Sequence, residues 1–105
     1  MKKLTVIMML ILTSQLGRIS FLDHTETYYN LKMNRICSRA IERQIPGFYW
    51  ERPDGCKMWG DKIIVAADFN LHPYGSTVLT SLGEGIVLDT GSFKDRTTID
   101  IATTW

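Results

Sequence analysis

Between residues 62 and 105 no apolar run is longer than five residues, and turn signals or aspartates recur among the runs. That one property excludes a long buried helix from this half of the chain and leaves short strands as the natural reading. Lys62 to Ala67 (KIIVAA) is almost continuously apolar, as a strand covered on both faces would be. Pro73-Tyr74-Gly75 and Gly83-Glu84-Gly85 are turns. Ser76 to Ser81 and Gly85 to Asp89 are further strands, and Thr97 to Thr103 alternates polar with apolar.

The first half is less uniform. Met1-Lys2-Lys3 followed by the apolar stretch Leu4 to Leu12 has the layout of an export signal. Such a stretch falls short of the roughly 20 residues that a membrane-spanning helix needs. Residues 1–20 therefore read as a signal peptide or N-terminal anchor, and residues 21–105 as one domain, secreted or held at the cell envelope. Phe21 to Glu26 reads as a linker. Thr25 to Asn30 suits a strand. Apolar residues at 33, 36, 37, 40 and 41 predict a helix within Leu31 to Arg43, stopped by Pro46-Gly47. Phe48 to Glu51 is a short aromatic strand candidate, and Arg52 to Gly55 is a turn. The expected class is mainly β with one short helix, closer to a small barrel than to a helical bundle.

Twelve Lys and Arg stand against eleven Asp and Glu, a net charge of +1. That balance makes no electrostatic case for nucleic acid as a partner. Two cysteines without a supporting histidine cluster make a poor zinc site, so neither metal nor cofactor is expected. In an exported chain Cys37 and Cys56 could form a disulfide, contributing roughly 3 kcal/mol. Two free thiols fit the residues equally well.

The aspartates carry the chemistry. Asp68 follows IIVAA, Asp89 follows GIVL, and Asp100 stands between Ile99 and Ile101. Aspartate is depleted in strands and rarely buried unless paired, so three of them against apolar β sequence call for a reason. A turn accounts for Asp68 before Phe69-Asn70. It does not account for Asp100, through which the alternation continues, and alternation sends Asp100 to the face opposite its two isoleucines.

The motifs VAAD (65–68), PYGSTV (73–78), GIVLDTGS (85–92) and ID (99–100), in that order, resemble the 3D domain, named for three aspartates. TETYYNL (25–31) is similar to that family's first strand. The resemblance implies a small six-stranded double-psi β-barrel related to the catalytic barrel of membrane-bound lytic transglycosylase A and to stationary-phase survival and resuscitation-type proteins. It implies that the partner is the glycan strand of peptidoglycan, cut between N-acetylmuramic acid and N-acetylglucosamine with a 1,6-anhydro end left behind. It also implies roles: Asp100 as general acid and then base, Asp89 tuning it or stabilising oxocarbenium charge, Asp68 orienting the sugar or the catalytic carboxyl. Thr90 and Gly91 would shape the substrate loop beside Asp89. Tyr28 and Trp59, with Tyr29, Tyr49 and Trp50 behind them, are candidates for stacking on sugar faces, against the plainer reading of core packing. His72 reads as a surface residue.

Two other readings compete. A non-catalytic module would hold the wall glycan without cutting it. Ile86 to Ser92 also resembles the D-T-G-S signature of aspartic proteases, but the glycine-rich flap and second apolar-Gly segment of a retropepsin do not occur in residues 92–105.

Overall fold

The computed structural model describes residues 18–105. The expected export signal lies outside the described residues except for its last three positions, which open the first strand. In chain order the elements are β1 (Arg18–Phe21), β2 (His24–Tyr29), α1 (Asn34–Glu42), β3 (Tyr49–Glu51), β4 (Lys57–Trp59), β5 (Lys62–Ala66), β6 (Thr77–Thr80), β7 (Gly83–Asp89) and β8 (Ile99–Ala102). Among the described residues the chain is thus mainly β with one short helix, as the turn spacing predicts.

The eight strands form one sheet. β5 is its hub. β7 runs parallel along one edge of β5, and β6 extends that side as a hairpin. On the other edge β4 pairs with the first half of β5 and β8 with the second, both antiparallel, and a Cys56–Thr103 bridge joins them. β2 lies parallel to β8, β1 folds back antiparallel on β2, and β3 pairs with β4. The hydrogen-bonded path is open, ending at β1, β3 and β6.

Residues 21–26 form no linker. Leu22-Asp23 turns the chain between β1 and β2, with Leu22 in the left-handed region at φ 53°. No glycine or proline marks that turn, which is why the residues alone hide it. β4 was also invisible: three residues are too few to display a period.

Side-chain alternation splits the interior in two. Ile64, Ile86, Leu88 and Ala102 face the helix, where Met33, Ile36, Ala40 and Trp59 complete one core. Ile63, Val65, Ala67, Val87, Ile99 and Ile101 face the other way and pack with Cys56 and Met58. KIIVAA is covered on both faces, as its unbroken apolar run requires. Helix α1 buries Ile36 and Ala40, and Met33 just before it is buried too, but Ile41, counted in the apolar stripe, is 67% exposed.

The helix stops before Pro46-Gly47. Gln44 takes φ 59°, its N–H donates to the Ile41 carbonyl at 3.0 Å, and the Ile45 N–H reaches back to Ala40 at 2.9 Å. This is the Schellman closure, in which the left-handed position normally belongs to glycine. Gln44→Gly is therefore expected to raise stability by about 1 kcal/mol, measured by urea unfolding.

Both cysteines are free thiols. Cys37 packs against the helix-side core and Cys56 lies fully buried in the opposite one, so the sheet stands between them. Bridging needs Cα atoms within about 7 Å, less than the roughly 10 Å between packed layers. Burial pushes the Cys37 thiol up and the Cys56 thiol up to about 12. The expected result is electrophoretic mobility unchanged by reductant, with Cys56 reacting with a thiol reagent only after unfolding.

Candidate active site

Asp100 and Asp89 come together through sheet register. Reading across four strands, Thr27 on β2 is level with Asp100 on β8, Asp100 with Ala66 on β5, and Ala66 with Asp89 on β7. The last step depends on a β-bulge. Val65 is level with Val87, but Ala66 is level with Asp89, so Leu88 and Asp89 together oppose one residue. Alternation from Val87 would send Asp89 to the face away from the helix. The extra residue returns it to the face that Ala66 and Asp100 share, because side-chain direction flips with each single-residue step.

Each carboxyl is held by its neighbours. The Thr27 hydroxyl donates to Asp100 Oδ1 at 2.7 Å. The Tyr29 hydroxyl, two residues along the same face of β2, donates to Asp89 Oδ2 at 3.0 Å. The other oxygen of Asp89 accepts the Thr90 N–H at 2.8 Å, and the Thr90 hydroxyl donates to the Ala67 carbonyl at 2.8 Å. Thr90 thereby fixes both the carboxyl and the strand ends beside it. Gly91 is exposed, and a Cβ placed there would approach nothing closer than 3.6 Å.

Burial pushes the Asp100 carboxyl above the usual aspartate range, and the charge of Asp89 pushes the same way; the Thr27 hydrogen bond opposes both. The Tyr29 phenol is driven far up by burial, then by Asp89 and Asp100, so it serves only as a proton-bearing donor.

Asp68 has a different setting. It follows β5 and accepts the Arg96 guanidinium on Oδ2 and the Asn70 N–H on Oδ1, each at 2.8 Å. Arg96 holds its carboxyl below the usual range, with the Asn70 N–H adding to the effect. Its carbonyl accepts the backbone N–H of Leu71 and of His72, a half-exposed residue. Asp68 is thus an ionised clamp on the loops around 70 and 96. Its link to the pair runs through Ala67, whose N–H donates to the Asp89 carbonyl at 3.1 Å.

Two stacking candidates are corrected. Trp59 is 3% exposed, its ring lies in the helix-side core against Gly47, and its indole N–H donates to the Ile45 carbonyl at 3.3 Å, so no face is open to a sugar. Tyr28 packs against the opposite core and tilts over Trp105 with ring centroids 4.7 Å apart, away from the aspartate pair. Tyr49 and Trp50 lie on β3; the Tyr49 hydroxyl donates to Glu51 and the Trp50 indole to the Gly60 carbonyl. Tyr29 takes part through its hydroxyl. Thr27 and Arg96 were not singled out from the sequence, although T-x-T-x-Y in residues 25–29 already places Thr27 and Tyr29 on one face.

Asp89 also lines an open groove of about 530 Å³ beside helix α1, together with Lys32, Asn34, Arg35 and Arg39. Among the described residues no group of three His, Cys, Asp or Glu side chains could hold a metal ion. No protein-family model, curated protein or solved structure matches the chain.

Proposed function

We propose that this chain is a lytic transglycosylase acting on peptidoglycan at the cell envelope, with Asp100 as its general acid and base. The reading rests on the row Thr27–Asp100–Ala66–Asp89, which places one half-buried carboxyl, pushed towards its protonated form, on the same face as a second. A glycosidic oxygen is a poor leaving group until protonated, and a raised pKa favours the protonated carboxyl that can supply that proton.

In the proposed sequence Asp100 transfers its proton to the oxygen between N-acetylmuramic acid and N-acetylglucosamine as that bond breaks. Asp89, fixed by Tyr29 and Thr90, stabilises the oxocarbenium charge. Asp100, now ionised, takes the proton of the muramic acid C6 hydroxyl as that oxygen bonds to C1, closing the 1,6-anhydro ring. No activated water or enzymic nucleophile is needed. Asp68 keeps the flanking loops in place rather than touching the reacting atoms. The fold that accompanies this reading is a double-psi β-barrel of the 3D-domain type; the parallel pairs β2–β8 and β5–β7, joined antiparallel through β5 and β8, support it.

A second reading, a module that holds wall glycan without cutting it, draws on the fact that Asp89 is the aspartate lining the groove. Mass spectrometry of purified peptidoglycan incubated with the full chain separates the two. Anhydro-muropeptides are expected; sedimentation of the chain with the wall in their absence would decide for the module.

A further inference from the structure

We propose that the groove along helix α1 is a subsite for the carboxylates of the peptide stem carried by the glycan, gripped by Arg35 and Arg39. This deepens the peptidoglycan reading and rests on it. Asp89 is one of the residues lining the groove, so an occupant would lie beside one member of the aspartate pair. Arg35 and Arg39 are four residues apart and so lie on one face of the helix. They line this groove and also a second hollow of about 290 Å³ that shares Asn34 with it and includes Ser38 and the acidic Glu42. Lys32 adds a third cation to the groove lining.

The charges are uncommitted. Among the described residues neither guanidinium forms an ion pair, whereas Arg52 and Arg96 each hold an aspartate. Guanidinium groups bind carboxylates through two parallel N–H donors, a geometry that a backbone of neutral sugar hydroxyls does not offer. The substituent on peptidoglycan that brings carboxylates is the peptide stem. A stem leaving the muramic acid next to Asp89 would enter a groove walled by cations, and Asp89 would repel a carboxylate placed too close to the reacting bond.

Binding, not cleavage, tests this, so the two proposals can fail separately. The ligands are a disaccharide-tetrapeptide and the same disaccharide with its lactyl carboxyl capped as a simple amide in place of the peptide, titrated against the full chain by calorimetry at low and physiological salt. The native chain should bind the stem-bearing ligand about tenfold more tightly, with the margin shrinking as salt rises. Arg35→Gln with Arg39→Gln should erase the margin, Arg→Lys at both positions should restore part of it, and Lys62→Gln, at the start of β5 and paired there with Asp61 and Glu84, should leave it intact. Equal affinity for the two ligands, or a margin that survives the double glutamine variant, would overturn the proposal. A margin that holds while no anhydro product forms on any substrate would keep the subsite and discard the transglycosylase.

Discussion

Asp100→Asn should reduce the yield of anhydro-muropeptides by at least about a hundredfold, in line with the worth of a positioned general acid. Asparagine keeps the shape of the side chain and an oxygen able to accept the Thr27 hydroxyl, but it has no proton to give and cannot take one. The same substitution should leave the chain as stable as before at acid pH and more stable at neutral pH. The sign follows from linkage. Burial and Asp89 raise the Asp100 pKa in the folded state, so in the range just above the ordinary value of about 3.9 the folded chain binds a proton that the unfolded chain has released. Stability therefore falls as pH rises from there through the folded pKa, and the asparagine variant does not share that fall. Thermal unfolding of both proteins at a series of pH values checks this: the curves should coincide at low pH and separate as pH rises, the variant lying above. Unchanged product yield would remove Asp100 from the mechanism. A variant less stable at neutral pH would mean that its carboxylate is a structural partner instead of a strained functional group.

The second large effect concerns Glu26, which is completely buried although charged side chains rarely are. Both of its oxygens are engaged. His24 Nε2 lies 2.9 Å from Oε2, the Ser81 N–H donates to Oε2 at 2.8 Å, and the Ser81 hydroxyl donates to Oε1. The residue staples the β1–β2 hairpin to the turn between β6 and β7, two parts of the sheet that do not otherwise pair. Glu26→Ala would leave the Ser81 amide and hydroxyl and the His24 ring without their acceptor in a dry setting. Removing one member of such a buried cluster costs about 3–5 kcal/mol, a large share of what a domain of this size possesses. Urea unfolding should show that loss, and Ser81→Ala should show a smaller one, because the backbone N–H of residue 81 still reaches Glu26. Because β2 also carries Thr27 and Tyr29, the alanine variant should lose anhydro products along with stability. A loss below about 1 kcal/mol would show that the turn and hairpin are held by other contacts.

What was legible in the residues was local. Most strand positions after residue 62 follow from the length of the apolar runs and the placement of glycine and proline, which act within a few residues; Gly83-Glu84-Gly85, read as a turn, instead opens β7, and the turn falls at Ser81-Leu82. The helix and its end near Arg43 followed from its 3.6-residue stripe and from Pro46-Gly47, though the form of the closure did not: Gln44 adopts a backbone conformation that its side chain gives no reason to expect. The short strands β1 and β4 escaped because one closes at a turn without glycine or proline and the other spans three residues. The three aspartates stood out because their type conflicts with the strands around them.

Which of those aspartates meet was decided by tertiary structure alone. Asp89 joins Asp100 because a bulge between β5 and β7 flips its side chain to the helix-facing side, and that register is a pairing between residues more than twenty positions apart. Asp68 is drawn instead to Arg96, on a loop 28 residues away. Periodicity states which side chains share a face of one strand. It cannot say which strand lies alongside, or where an extra residue shifts the count, because those choices belong to hydrogen bonds between distant segments and to how the two cores on either side of the sheet pack.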